Sequence, residues 1–301
     1  MDGVFNIYKE KGFTSHDVVA VIRKTVNQKK VGHTGTLDPD AEGVLPICLG
    51  RATKLADYIM DGTKTYRAGV KLGVITDTYD LSGNTVERRG VNVTEQEIKA
   101  AVMSFIGRQE QTPPMYSAIK IGGQKLCDLA RKGIEVERKA RTIEIYGISI
   151  DGFNGPDEFT ITVNCSKGTY IRSLCYDIGE KLGCGAAMAS LIRLKSGSFT
   201  AENAITLTEL KKLAEKGKAE DALLTISDVL KGYKKVTVKE KGDKLMKNGA
   251  KIYSRYWYED EKIFAPGEIV AGYDFKNEPV GLYRIAEEEN KVCIKPVKIL
   301  L

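Results

Sequence analysis

The sequence predicts an α+β fold in which a long mixed-sheet domain is followed by a small β-rich domain. From residue 4 to about residue 230, strand-like and helix-like segments follow one another in a mixed order. Near Lys231 and Gly232 the composition changes to short strand-like pieces rich in Tyr, Lys and Gly. The length of 301 residues also agrees with two domains. We therefore place the domains at residues 1–230 and 231–301.

Local patterns predict the elements of the first domain. Thr14 or Ser15 can cap a helix, and the pairs Thr94 with Glu97 and Thr206 with Glu209 have the spacing of a capping box. The predicted strands are 4–8, 44–49, 64–73, 142–153, 158–165 and 191–199. The predicted helices lie after residue 14 or 15, at 51–60, between 94 and 107, at 125–132, from residue 170, and after residue 206.

Basic residues concentrate in two separate segments. Residues 107–141 hold 8 basic and 4 acidic residues, and residues 231–301 hold 15 basic and 11 acidic, in a chain of net charge +6. Two basic segments fit two contact zones on a polyanion, but ordinary solvated faces explain the charge alone equally well. The first segment contains Pro-Pro and Gly-Gly, so we interpret it as an insertion between sheet elements.

Composition disfavours several classes of protein. Six cysteines without a C-x-x-C pair, and only two histidines, disfavour a disulfide framework and a zinc site. The sequence has no run of 18 apolar residues, and its beginning, MDGVFNIYKEKGF, lacks the apolar region of a secretion signal. We therefore expect a cytoplasmic protein with no membrane span and no bound metal.

The segment 31–47, VGHTGTLDPDAEGVLPI, has the clearest chemical content. Three glycines and two prolines make it a stiff, irregular loop. Pro39 biases Asp38 towards an extended conformation, and such a loop before an apolar strand can hold a carboxylate that faces a cleft. The competing interpretation is a turn aspartate that accepts bonds from nearby backbone amides, which local physics favours.

The stretch GHTGTLDPDAEGVLPI resembles the signature of the TruB family of tRNA pseudouridine synthases, in which the Asp before Pro is catalytic. Four further stretches resemble other family blocks in the same order; they are NIYKEKGFTSHDVV at 6–19, KTYRAGVKLGVITDTYDLSG at 64–83, SKGTYIRSLCYDIGEKLGCGA at 166–186 and LIRLKSGSF at 191–199. Residues 9–12 depart from the family's Lys-Pro-x-Gly, because they read Lys-Glu-Lys-Gly. Residues 231–301 are similar, more weakly, to a small β-rich RNA-binding domain of the PUA type.

The resemblance implies a pseudouridine synthase that isomerises the T-loop uridine, position 55 of tRNA, after flipping it out of its stack. The rearrangement stays within one nucleotide, so it requires no cofactor and no metal. Asp38 would be the catalytic carboxylate, Arg172 its charge partner, and Tyr66 the stacking platform that also takes the C5 proton. The predicted substrate contacts are His33, which would fill the space of the flipped base, with Tyr170, Leu191 and Lys11.

The insertion at 107–141 resembles the segment with which the family grips RNA. Its predicted phosphate contacts, without base readout, are Lys120, Lys125, Arg131 and Lys132. The expected partner is the T-arm of tRNA, bound by a monomer. Two other interpretations stay open: a non-catalytic RNA-binding or tRNA-folding protein on the same fold, and a guide-RNA-dependent relative from an archaeal or eukaryotic complex. An intact Asp38, Tyr66 and Arg172 favour the enzyme, and the short chain without basic tails argues against the guide-dependent relative.

Overall fold

The computed structural model describes residues 1–117, 119–288 and 290–300, with the backbone but not the side chain of Lys125. The strands are β1 (Gly3–Lys9), β2 (Val31–His33), β3 (Glu42–Leu49), β4 (Lys64–Leu72), β5 (Val74–Thr76), β6 (Thr85–Arg88), β7 (Gly107–Gln111), β8 (Lys120–Ile121), β9 (Gln124–Lys125), β10 (Arg141–Phe153), β11 (Glu158–Cys165), β12 (Ala186–Ser196), β13 (Phe199–Thr200), β14 (Leu223–Thr225), β15 (Lys235–Thr237), β16 (Ile252–Tyr253), β17 (Ile269–Tyr273), β18 (Pro279–Glu288) and β19 (Lys291–Ile299). The α-helices are α1 (Ser15–Thr25), α2 (Ala56–Met60), α3 (Glu95–Met103), α4 (Leu126–Ala130), α5 (Ile171–Lys181), α6 (Leu207–Glu215), α7 (Ile226–Leu230) and α8 (Glu240–Lys247). Short 3₁₀ helices lie at Gly50–Leu55, Ala201–Asn203, Ala219–Ala222, Ser254–Tyr256 and Glu261–Ile263.

Within these residues, ten strands form one sheet. Its main path runs β14-β1-β3-β12-β4-β11-β10-β7, while β2 and β13 pair beside it with β3 and β12. The neighbours are antiparallel except for β3 and β12, whose parallel pairing sets Gly43 opposite Arg193. The predicted mixed sheet and α+β class are therefore confirmed.

Helices α1, α3, α5 and α6 cover one face of this sheet. Their apolar stripes, which include Val18, Ile98, Ile178 and Leu210, join the inward-facing side chains of the strands in one buried cluster. The predicted capping boxes are confirmed, because the hydroxyls of Thr94 and Thr206 accept from the third backbone N–H of α3 and α6. Each such cap contributes about 1 kcal/mol to stability.

The other face of the sheet packs on the C-terminal region. Residues from 235 onwards form a second sheet, in the order β15-β17-β18-β19-β16. Val4 and Val44 alternate away from the helices and share a buried apolar cluster with Ala271, Leu282 and Leu300. The β-rich character of the C-terminal region is thus confirmed, while the division at residue 231 stays a prediction.

Two predicted elements are partly wrong. The segment 51–60 is not one helix, because a 3₁₀ helix over Gly50–Leu55 precedes the short α2. The strand predicted at 191–199 begins earlier, at Ala186, and ends at Ser196. Across the described part of the chain, no helix is both long and apolar enough to cross a lipid bilayer.

Candidate active site

Asp38 lies in the loop between β2 and β3, and contacts on both sides fix that loop. The hydroxyl of Ser15 accepts from Leu37 N at 2.9 Å and lies 3.2 Å from Leu37 O. The buried ammonium of Lys9 donates to Pro39 O at 3.1 Å and to Phe13 O at 2.6 Å. The backbone on either side of the carboxylate is therefore attached to β1 and α1 rather than left to solvent.

A close approach between backbones requires glycine at position 43 of this loop. Its φ is +105°, and a Cβ there would lie 2.2 Å from the carbonyl oxygen of Arg193. Only glycine fits this approach without moving the backbone. The same approach brings β12, which carries Leu191 and Arg193, next to the strand that follows Asp38.

Arg172 is the charge partner of Asp38. Its Nε lies 3.1 Å from Asp38 Oδ2 and its Nη2 lies 3.3 Å from Asp38 Oδ1, the two-point geometry of a guanidinium–carboxylate pair. The Arg172 side chain is 6% exposed, whereas the Asp38 side chain is 40% exposed and faces the cavities. Residues 134 positions apart in sequence are thus brought together at the start of α5.

A second carboxylate, Asp80, holds the other side of Arg172. Its Oδ2 lies 3.3 Å from Arg172 Nη1, and the guanidinium also donates to the backbone oxygens of Thr78 and Tyr116. Asp80 is fixed in turn by the hydroxyls of Thr78 and Ser82. Asp80 lies within the stretch 64–83 but was not among the predicted site residues, because nothing in its local sequence distinguishes it from a turn aspartate.

The surroundings of Asp38 favour its protonated form more than bulk water would, so its pKa is raised. Burial is the largest influence and raises the pKa of Asp38 above its ordinary value. Arg172 opposes this, and the negative charge of Asp80 adds to it. The charged carboxylate therefore depends on Arg172 more than an exposed aspartate would.

A cavity of about 290 Å³, called the base pocket below, opens beside this ion pair. Its lining includes Asp38, Lys64, Tyr66, Tyr170, Leu191 and Arg193. Tyr66 and Leu191 lie on one face of the adjacent strands β4 and β12, where Tyr66 pairs with Arg193 and Leu191 with Ala68. This volume is near the lower end for ligand sites, which suits a single flat ring system.

The two tyrosines of the base pocket are held by different means. Tyr66 is carried by a central strand, and burial raises the pKa of its hydroxyl. Tyr170 precedes α5, and its backbone exchanges two hydrogen bonds with the side chain of Gln111 at 2.8 and 3.0 Å. Burial likewise raises the pKa of Tyr170, so both hydroxyls stay protonated at neutral pH.

A larger cleft of about 820 Å³ lies on the other side of Asp38. Lys11, His16, Asp80 and Arg131 are among the residues that line it. Both cavities are bordered by Asp38, Arg172 and Leu191. A bound chain molecule that passes along the cleft therefore has access to the base pocket.

His33 lies beside the cleft rather than among its described lining residues. Its Nδ1 accepts from Gly35 N at 3.3 Å, and its ring meets the edge of His16 at 5.2 Å. Burial lowers the pKa of His33, which keeps the imidazole neutral. The ring is therefore oriented by its backbone contact and by the neighbouring histidine.

The predicted phosphate contacts lie on the basic insertion. Lys120 is in the hairpin formed by β8 and β9, and Arg131 and Lys132 follow α4. Lys120 and Lys132 are exposed to solvent. Arg131 borders the cleft, and its Nη1 lies 3.5 Å from Asp128 Oδ1. The side chain of Lys125 lies outside the described part of the structure. In the described ranges, no group of three or more His, Cys, Asp or Glu side chains is placed to hold a metal ion.

The sequence matches two family models. Residues 23–171 match the model described as TruB family pseudouridylate synthase (N terminal domain). Residues 172–232 match the model described as tRNA pseudouridylate synthase B C-terminal domain. The two matches together include Asp38, Tyr66 and Arg172.

Curated proteins named tRNA pseudouridine synthase B are similar over most of their length. The protein of Clostridium perfringens is 51% identical over 266 residues, which is 88% of this chain and 89% of that protein. The protein of Alkaliphilus oremlandii is 48% identical over 303 residues, which is 100% of this chain and 99% of that protein. The protein of Bacillus pumilus is 45% identical over 286 residues, with 91% and 93% covered.

Two solved structures have the same architecture over almost the whole of this chain. A chain of an H/ACA RNP bound to a substrate RNA containing 2′-deoxyuridine is 28% identical with a TM-score of 0.76, and the match covers 99% of this chain and 85% of that one. A chain of a Cbf5–Nop10–Gar1 complex is 30% identical with a TM-score of 0.77 and the same coverage. Each of these chains is longer than the part that is matched.

Proposed function

Because this chain belongs to the TruB family of pseudouridylate synthases, we propose that it isomerises the uridine at position 55, in the T-loop of tRNA, to pseudouridine. The observation that carries the proposal is the Asp38–Arg172 ion pair at the mouth of a pocket that Tyr66 and Leu191 line. A carboxylate of raised pKa, kept charged by one arginine beside a small pocket with two tyrosines, suits covalent or general-base chemistry on a nucleoside.

The reaction breaks the N1–C1′ bond, turns the uracil, and joins C5 to C1′. Asp38 can attack C1′, attack the base, or remove a sugar proton. Each of these routes starts from the ionised carboxylate, so the pairing with Arg172 serves all three. Arg172 holds the carboxylate oxygens in one orientation, and Asp80 holds Arg172.

The target base must leave its stack to enter the base pocket. Unstacking and unpairing cost a few kcal/mol, and stacking on an aromatic side chain returns about 1–3 kcal/mol per base. Tyr66 is proposed to supply this stacking, with Tyr170 and Leu191 enclosing the ring. His33 is proposed to fill the space that the flipped base leaves, and its neutral, oriented ring suits a stacking role.

We propose that the protein binds tRNA through two zones. We also propose that it acts as a monomer in the cytoplasm. The insertion at 107–141 borders the cleft and would contact T-arm phosphates through Lys120, Arg131 and Lys132, with Lys11 on the opposite side. Residues 231–301 would form the second zone. There, Arg255 lies over the ring of Tyr256 and Lys239 lies over the ring of Tyr258, a mixture of charge and aromatic surface that suits RNA.

The two alternative interpretations receive less support. A non-catalytic RNA-binding protein has no need of a half-buried carboxylate with a raised pKa that is paired with an arginine beside a base pocket. The solved chains from the H/ACA RNP and from the Cbf5–Nop10–Gar1 complex are 28% and 30% identical, whereas the tRNA pseudouridine synthase B of Clostridium perfringens is 51% identical. The catalytic and stand-alone assignment is therefore preferred.

The first test is the variant Asp38→Asn, which keeps the shape of the loop and removes the charge. We expect no tritium release from T-arm RNA carrying [5-³H]uridine, with tRNA affinity retained in filter binding. Asp40→Asn is the matched control, because it makes the same change on an exposed position of the same loop and should keep activity. Turnover by Asp38→Asn would refute the assignment of Asp38. Mapping of pseudouridine in total tRNA with and without the wild-type protein tests position 55.

A further inference from the structure

Two cationic side chains lie at the floor of the base pocket. Lys64 and Tyr66 are two residues apart on β4 and so project from the same face, and Arg193 pairs directly opposite Tyr66 on β12. Lys64 is 5% exposed and Arg193 is 2% exposed. All three residues line the base pocket. We call Lys64 and Arg193 the cationic floor.

Neutral backbone carbonyls accept the hydrogen bonds of the cationic floor, so these bonds do not neutralise its positive charge. Arg193 donates from Nε to Val44 O at 2.7 Å and from Nη1 to Thr36 O at 3.4 Å, while its buried Nη2 makes no hydrogen bond of good geometry in the described part of the chain. The guanidinium also interacts with the Tyr66 hydroxyl and so opposes the rise that burial causes in the pKa of that hydroxyl. Lys64 donates to the backbone oxygens of Met60 and Gly62 at 3.0 and 2.7 Å. Among the described residues, no carboxylate lies within 4.0 Å of either cation.

Buried charges without counter-ions are costly, and a purely structural role for the loop and strand does not require them. Backbone carbonyls can be held equally well by neutral donors. An amide at position 193 would keep donors without adding charge. The two cations are therefore placed to stabilise an anion inside the base pocket, close to Tyr66.

We propose that Arg193 and Lys64 stabilise the negative charge that the uracil ring carries when its bond to the sugar breaks; this rests on the proposed function. The N1–C1′ bond breaks with its electron pair on N1, and the charge spreads over N1, O2 and O4. When C5 then bonds to C1′, the C5 proton leaves to a base and N1 takes up a proton. No electron or net proton is consumed, and no co-reactant is needed. Fixed cations beside a water-poor pocket stabilise such charge without reorganisation.

The same floor also explains why the detached base stays in the pocket. A free neutral uracil has few attachments once its sugar bond is broken, whereas an anion is held by two fixed cations. The base can then turn about its own plane over Tyr66 while the charge remains over the floor. Arg193 and Lys64 thus combine stabilisation of the broken-bond state with retention of the base.

The test compares Arg193→Gln, Arg193→Lys and the control Arg67→Gln in single turnover at saturating enzyme. Arg67 is on β4 as well, but it points to the exposed face, where its side chain is 52% exposed. We expect loss of about 100-fold in rate for Arg193→Gln, the usual effect of removing one charge-stabilising donor. Arg193→Lys should recover most of the rate, Arg67→Gln should match wild type, and tRNA affinity should be unchanged in all three.

Substrates with 5-fluorouridine separate charge stabilisation from a structural role. Fluorine withdraws electron density from the ring anion, so cleavage of the N1–C1′ bond should depend less on the cationic floor. Because C5 then carries fluorine and has no proton to lose, the readout is the disappearance of 5-fluorouridine in nucleoside digests of the RNA, measured for both bases, and not tritium release. The deficit of Arg193→Gln should therefore shrink at least several-fold with the fluorinated base, and equal deficits for both bases would overturn the proposal. If Arg193→Gln does not fold by thermal melting, Lys64→Gln is measured in the same way with the same expectation. Wild-type enzyme that forms no pseudouridine would refute the proposed function instead, so the two failures are distinguishable.

Discussion

Removal of the guanidinium of Arg172 is the most informative perturbation of this site. Arg172→Met keeps much of the side-chain volume and deletes the two contacts to Asp38 and the contact to Asp80. Breaking a fully buried ion pair by removal of one partner costs about 3–5 kcal/mol. Asp38 is 40% exposed to the cavities, so water replaces part of the loss and we take about 3 kcal/mol. If the whole loss of about 3 kcal/mol raises the barrier of the catalytic step, the rate decreases by about 100-fold, since 1.36 kcal/mol corresponds to a factor of ten.

The pH dependence gives the prediction its specific signature. Burial already raises the pKa of Asp38 and Arg172 lowers it, so the variant raises it further. The reaction needs the ionised form, and activity is therefore lost as pH falls through this pKa. In wild type the rate should reach its plateau at lower pH than in Arg172→Met. The variant should regain activity as pH rises through a range where wild type no longer changes.

The assay is single-turnover tritium release at saturating enzyme, measured over a series of pH values, with filter binding at each pH. Arg89→Met is the matched control, because Arg89 also bridges two carboxylates, Glu87 and Glu180, but at a partly exposed position that lines neither cavity. Arg172→Lys should show an intermediate midpoint, since it keeps the charge and loses the two-point geometry. A profile for Arg172→Met that is lower than wild type but has the same midpoint would refute the reasoning.

Three further predictions address other parts of the molecule. Tyr66→Phe should keep tRNA affinity and slow tritium release at least tenfold, because it keeps the stacking ring and loses the hydroxyl through which the C5 proton would leave; an unchanged rate in single turnover would exclude that role. The pair Lys239→Gln and Arg255→Gln should weaken tRNA binding and flatten its salt dependence, with an unchanged rate at saturating enzyme. Thr206→Ala should lower the free energy of unfolding by about 1 kcal/mol without changing activity, as measured by denaturant titration; no loss would show that the Glu209 capping box is not a stabilising contact.

The C-terminal residues need point substitutions rather than truncation. Val4 and Val44 of the large sheet are buried against Ala271 and Leu282 of the small one. Deletion of residues 231–301 would expose this shared apolar cluster to water and destabilise the sheet that carries the base pocket. Any fall in rate after such a deletion would mix lost RNA contacts with lost stability.

The elements that the sequence predicted correctly depend on local signals. The capping boxes at Thr94 and Thr206 involve residues three positions apart, and the hairpin of β10 and β11 is set by alternation around a tight turn. The short β2 and the 3₁₀ helix at Gly50–Leu55 were missed because neither carries a period long enough to detect. The parallel pairing of β3 with β12 is a contact between distant segments, which no local pattern specifies.

The site shows the same division between local and non-local information. Asp38 and Arg172 were predicted because the stretches around them resemble family blocks, whereas local physics alone favoured a turn aspartate at position 38. Lys64 and Arg193 were passed over, since lysine and arginine on a strand usually belong to a solvated face. Their burial depends on the antiparallel register of β4 and β12, which sets both side chains on the inner face of the sheet. That register appears only once the strands are assembled.

The arrangement of charge across the base pocket has a direction that matches the proposed reaction. At the mouth, the carboxylates of Asp38 and Asp80 lie on two sides of the Arg172 guanidinium, so that side presents the carboxylate of Asp38 to the pocket. At the floor, Lys64 and Arg193 leave the other side net positive. Heterolysis of N1–C1′ produces a sugar carbon that is electron-poor and a base that is electron-rich, so each fragment is drawn to the side of opposite charge. The pocket is therefore complementary to the separated state rather than to the intact nucleotide, which is the condition under which binding energy lowers the barrier.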